Sequence, residues 1–185
     1  MSCCSLNWST IGAALGGLAV ILGAFAAHGI DGYFAEKYPG QVKTVTGVEV
    51  PAAQKYLNDF KTGAQYQMYH AIALIFAAWL ATQGESSTAT TVAGWAFVVG
   101  VALFSGSLYT MTLTGMRWLG AITPLGGVAF IVGWIALAVA GYNLLLGVGT
   151  PAALVRANLM LMTALSLAAA IWVAILEREA GTAPT

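Results

Sequence analysis

Five stretches of this chain are apolar for long enough to cross about 30 Å of hydrocarbon at the ~1.5 Å rise of an α-helix. They run from about Ser9 to His28, Thr62 to Ala81, Val92 to Leu113, Pro124 to Leu145 and Ala152 to Leu176. Their ends carry helix punctuation. Thr123 and Thr150 can cap helices whose next residue is Pro124 or Pro151, and Gly115 and Gly147 follow helical ends. The fifth run starts with Arg156 and Asn158 in its first turns, both able to reach back to the interface.

Composition agrees with a bilayer location. Of 185 residues, 59% are hydrophobic and 8% charged, with a mean hydropathy of +0.80; a soluble domain carries about 25% charged residues. Seven basic and seven acidic residues cancel, so the chain lacks the basic field that nucleic acid requires. The only cysteines, Cys3 and Cys4, are adjacent and offer no spacing for a zinc site or a disulfide framework. Ala24, Phe25 and Ala26 resemble a signal-peptidase site, but the leader has no positive n-region and its apolar run is long for an h-region, so a retained helix is expected.

Lys37, Lys43, Lys55 and Lys61 fall between the first two runs, Arg117 between the third and fourth, and Arg178 in the tail. All lie on one side of a five-span chain, and only Arg156 lies on the other. The positive-inside rule then places the N-terminus outside, with loop 29–61 and the C-terminus in the cytoplasm, in a cell inner (plasma) membrane. Within the loop, "VKTVTGVEVP" alternates like a hairpin around Thr46 and Gly47. After Pro51, Tyr56, Leu57 and Phe60 share one side of a helical pattern, which either lies on the membrane surface or runs on into the second span.

Helices in lipid associate where small residues let backbones approach, which marks Gly12 and Gly16 in the first run and Gly126 and Gly133 in the fourth as packing positions. The second run, "TGAQYQMYHAIALIFAAWLA", changes from polar to apolar at His70. Steps of three and four from it collect Gly63, Tyr66, Gln67, Ala73, Ala77 and Ala81, with Met68, Ile72, Ile75 and Trp79 opposite, so His70 is expected to face inward. His28 ends the first run toward the same membrane face. Trp8, Trp95 and Trp118 read as interfacial anchors.

Four ordered motifs, "LGAFAAHG" (22–29), "TGAQYQMYHAIAL" (62–74), "LFSGSLY" (103–109) and "RWLGAITPLGG" (117–127), resemble those of the small multi-pass membrane family known as domain of unknown function four-two-three. Its eukaryotic relatives include transmembrane protein two-five-six. The resemblance spans roughly residues 9–145 and implies an all-α fold with a four-helix transmembrane core and no established activity. The fifth C-terminal transmembrane helix, within 150–178, and residues around 38–50 are additions to that pattern.

Three functions are compatible with these residues. The chain can be a structural or assembly partner in a larger membrane complex, or in a homo-oligomer, with His28, Tyr66, His70 and Arg117 as a hydrogen-bonded polar cluster. It can be a small solute or proton transporter or channel using His70, since ionisable groups inside a span are functional candidates; no acidic residue within a span and no inverted repeat accompany it. Or His28 and His70 can give two imidazoles to a haem or metal, although no Cys, Asp or Glu stands at matching depth to complete a site. An enzyme is not expected: Ser105 and Ser107 have no histidine at their depth, and no carboxylate pair lies in a span. The expected reading is therefore the first, without catalytic residues, metal or cofactor.

Overall fold

The structure, a computed structural model, describes residues 7–82 and 88–147. The fifth apolar run, Cys3 and Cys4 lie outside the described residues. The chain divides into two compact units, Met1–Gly141 and Tyr142–Thr185. In the second, the described residues are the closing residues of a helix that begins in the first.

Among the described residues, five α-helices, one 3-10 helix and one hairpin follow in chain order: α1 (Trp8–His28), α2 (Ile30–Lys37), β1 (Val42–Val45), β2 (Val48–Pro51), α3 (Ala52–Thr82), α4 (Thr88–Thr114), a short 3-10 helix (Arg117–Ala121) and α5 (Thr123–Gly147). The fold is that of an all-α membrane protein. Among the described residues three helical segments are long and apolar enough to cross a bilayer: Trp8–His28, Thr88–Thr114 and Arg117–Tyr142. The sequence-predicted second run lies in α3, which does not meet that measure.

Local chemistry explains the ends. Asn7 caps α1, its side chain accepting from the Thr10 N–H at 3.3 Å. Gly115, at φ +83°, closes α4 by donating its N–H to the Met111 carbonyl. The hairpin turns on Thr46 and Gly47, both at positive φ, with Val45 opposite Val48 and Val42 opposite Pro51; positive φ at both central residues is what a two-residue turn needs to match strand twist. After Pro51 the chain enters α3 at once, so the amphipathic stretch runs on into the apolar one as a single helix of 31 residues.

Helix α2 was not expected from the sequence. It lies against the first half of α3 and builds a small aromatic core of Ile30, Phe34, Tyr38, Tyr56 and Phe60 beneath Ala26. Tyr38 and Tyr56 rings stand 4.5 Å apart, and Phe60 meets Tyr109 of α4 at 4.8 Å. Segment 29–61 is thus a folded cap rather than an open loop.

The long helices alternate in direction. Gly12 of α1 meets Ala71 and Ile75 of α3, whereas Ala27 shares a hollow with Lys61 and Ala64, so α1 and α3 run antiparallel over the length of α1. Gly63 of α3 meets Tyr109 of α4, and His70 meets Phe97. Gly126, Gly100 and Gly133 place α5 antiparallel to α4 through Phe104, Phe130 and Phe97. Trp8 corrects one expectation. It is buried, seated on Gly94 and edge-on to Trp95 at 5.5 Å, because that glycine opens a notch the size of an indole. Trp95 and Trp118 are exposed.

Candidate functional site

Helix α3 carries two buried polar side chains, Gln67 and His70, one turn apart on the same face. Gln67 ties three helices together. Its amide NH₂ donates to the Leu15 carbonyl of α1 at 2.8 Å, and its amide oxygen accepts from the Tyr109 hydroxyl of α4 at 3.0 Å. One turn earlier, the Ser105 hydroxyl donates to the Gly63 carbonyl at 2.8 Å.

His70 is 5% exposed and held on every side. Its ring lies flat on Phe130 of α5, with centroids 3.4 Å apart and planes at 4°. The Trp134 indole N–H approaches Nε2 at 3.2 Å, and Nδ1 stands 2.7 Å from the Tyr66 carbonyl. An indole nitrogen can only donate, so Nε2 must accept, the ring proton resides on Nδ1, and Nδ1–H donates to Tyr66. The geometry therefore describes a neutral imidazole with neither nitrogen available to a ligand. Among the described residues no buried side-chain nitrogen or oxygen lacks a partner.

The four polar candidates from the sequence occupy three places. Tyr66 and His70 are together: the Tyr66 ring stacks on Phe104 at 4.6 Å, lies 6.0 Å from the His70 ring, and its carbonyl takes the Nδ1 proton. His28 is exposed at the end of α1. Because Ala27 shares a hollow with Lys61, His28 lies some ten residues of α3 below His70, roughly 15 Å at the helical rise. Arg117 is exposed on the 3-10 helix. The two imidazoles do not face each other, so a bis-histidine site finds no support in this arrangement. The four packing glycines all sit at contacts. A Cβ on Gly12 would stand 2.9 Å from the Ala71 carbonyl, on Gly16 3.7 Å from the Ala71 side chain, on Gly126 2.4 Å from the Phe104 nitrogen, and on Gly133 2.5 Å from the Phe97 ring.

Sequence reasoning missed Phe130, Trp134 and the bridging role of Gln67. Trp134 left a usable sign, since an indole N–H within an apolar run must find an acceptor, and His70 offers one.

A second polar group lies outside the spans. Helix α4 ends with carbonyls that have no helical donor. Tyr38 donates its hydroxyl to Thr112 at 2.9 Å, Tyr33 donates to Leu113 at 3.2 Å, and the Lys37 ammonium donates to both Leu113 and the Tyr33 hydroxyl. A cation there also complements the negative end of the helix dipole. The bond to Tyr33 holds the Lys37 pKa above its usual value, and burial raises that of Tyr38.

Comparison with known proteins agrees with a membrane protein. Residues 22–127 match the family described as "Protein of unknown function (DUF423)". The chain is 45% identical over 128 residues to the UPF0382 membrane protein YwdK of Bacillus subtilis, covering 69% of this chain and 89% of the relative. The chain belongs to the DUF423 family. The UPF0382 membrane protein SERP0230 of Staphylococcus epidermidis is 38% identical over 66% of this chain and 84% of its own length. For the UPF0382 membrane protein of Haemophilus influenzae the figures are 32%, 74% and 94%. No solved structure matches. The DUF423 match begins within the last two turns of α1 and stops just inside α5, so it encloses Tyr66, Gln67, His70, Tyr109 and Arg117, while Phe130 and Trp134 lie beyond it.

Proposed function

We propose that this DUF423 protein is a four-crossing bundle of α1, α3, α4 and α5 that acts as a structural or assembly component of a larger membrane complex. The bonding of His70 carries the reading. Its two nitrogens are spent on Tyr66 and Trp134 and its face on Phe130, so the centre of the bundle offers neither a proton-relay position nor a ligand position, and the chain acts through its outer surface. Neither catalysis nor a bound cofactor enters this reading.

The fourth crossing is α3. Gln65, Gln67 and His70 hold its hydropathy down, yet Gln67 and His70 are buried and bonded inside the bundle, which makes them tolerable in lipid. Its outward positions Ile72, Ile75, Phe76 and Trp79 are large and apolar, and it accompanies α1 along that helix's length. The lysines of 29–61 and Arg117 then share one side, which the positive-inside rule makes cytoplasmic, with the N-terminus outside.

The test is affinity purification of the tagged full chain from native membranes in a mild detergent, followed by native electrophoresis and mass spectrometry. The expected result is a species larger than the 19.1 kDa chain that contains the same integral partner, or further copies of the chain, in each preparation. A chain that always runs alone would overturn the reading.

A further inference from the structure

Near the start of α3, three of the four cap lysines are engaged. Lys37 caps α4, Lys43 lies over the Tyr56 ring at 5.0 Å, and Lys55 pairs with Asp59. Lys61 is exposed and has no hydrogen bond or ion pair among the described residues. It stands at the mouth of an open-sided hollow of about 360 Å³ between α1 and α3, walled by Ala19, Gly23, Ala27, Ala64 and Met68.

The hollow has a polar end and an apolar end. Lys61 stands near Ala27, one residue from the end of α1, which is the headgroup level for a crossing helix; Gln65 lies one turn deeper, and Ala19 and Met68 about two turns deeper. No carboxylate lines it. A hollow of similar volume between α2 and the start of α3 carries Asp31 and no cation. The glycines of α1 also differ in what they face. Gly12 is required by the Ala71 carbonyl, whereas a Cβ on Gly23 would meet nothing within 4 Å. The close approach of α1 and α3 does not require Gly23; its missing side chain keeps the hollow open.

The geometry points to a seat for one anionic phospholipid, its phosphate on Lys61 with Gln65 beside it, and one acyl chain lying along Ala64, Gly23 and Ala19. A membrane cation at headgroup level favours an anionic lipid by about 1 kcal/mol, or roughly fivefold. The seat requires that α1 and α3 both cross the bilayer. It does not depend on any protein partner, so a chain that purifies alone leaves it standing.

Native mass spectrometry of the full chain in detergent micelles, titrated with phosphatidylglycerol or with phosphatidylcholine, tests the seat. One phosphatidylglycerol should bind per chain in preference to phosphatidylcholine. Lys61→Gln should lower that preference roughly fivefold, and Gly23→Leu should weaken both lipids by filling the tail's place, while Lys43→Gln should change neither. Lys61 has no described partner and Gly23 has open space, so unchanged thermal unfolding is expected of both variants. Equal binding of the two lipids, or a Lys61→Gln chain that holds phosphatidylglycerol as the parent does, would overturn the proposal. So would an equal loss in Lys43→Gln, which would mean general surface charge.

Discussion

Along α3, the seam facing α1 and the seam facing α4 and α5 are built from different materials. On the α1 side, small residues bring backbone against backbone, with a Cβ at Gly12 only 2.9 Å from the Ala71 carbonyl. On the other side, rings fill the space: Phe97, Phe104, Phe130 and Trp134 surround Tyr66 and His70, with glycines as notches for the rings. A backbone seam gains from closeness and has no way to yield. A ring seam gains from area and from specific polar bonds, and its side chains can turn. Each seam also holds α3's polar groups in its own way, with Gln67 pinned to a carbonyl of α1 and His70 to an indole of α5.

The largest expected effect separates rigid from yielding contacts. Gly126→Ala and Gly12→Ala push a methyl into the Phe104 nitrogen and the Ala71 carbonyl, and each should cost about 3 kcal/mol in reversible unfolding. Gly133→Ala meets a ring that can swing aside, and should cost about 1 kcal/mol. Equal losses at Gly12 and Gly133 would remove the distinction.

The polar half of the comparison is sharpened by a double-mutant cycle. His70→Phe keeps a ring on Phe130 but strands the Trp134 N–H, at about 1–2 kcal/mol. Trp134→Phe should cost about 0.6 kcal/mol, a usual value for a hydrogen bond between membrane helices. The double variant should fall short of the sum by about that amount. Strict additivity would mean that the two side chains are not bonded.

The smallest effect concerns the cap. Tyr38 has its pKa raised by burial, and Lys37 has its raised first by the Tyr33 hydroxyl. Both groups hold their protons more tightly folded than unfolded. Their contribution is therefore full below pH of about 10 and is lost as pH rises through the folded values. Stability should decline above pH of about 10, less steeply in Tyr38→Phe, which also forfeits about 1 kcal/mol at neutral pH with the bond to Thr112. An alkaline limb unchanged in that variant would place its origin elsewhere.

Much of this was legible because the signals are local. Apolar length located α1, α4 and α5 to within a few residues, Thr46–Gly47 marked the hairpin turn, and the helical stripe through Gly63, Gln67 and Ala77 turned His70 inward. What escaped depends on how helices slide against one another. A sequence gives the depth of His28 within α1 but not the level of α3 it meets, so the two histidines looked like neighbours. Trp8 read as an anchor because its notch, Gly94, lies on a distant helix. Helix α2 escaped because its eight residues have no long apolar run; Ile30, Phe34 and Tyr38 become a core only against Tyr56 and Phe60.

The account rests on α3 crossing the bilayer with its polar residues turned inward. Single cysteines at Lys61 and Thr88, in a chain with Cys3 and Cys4 replaced by serine, can be probed in sealed membranes with an impermeant maleimide. Labelling of Lys61→Cys and Thr88→Cys from opposite sides is the predicted result; labelling of both from the same side would contradict it.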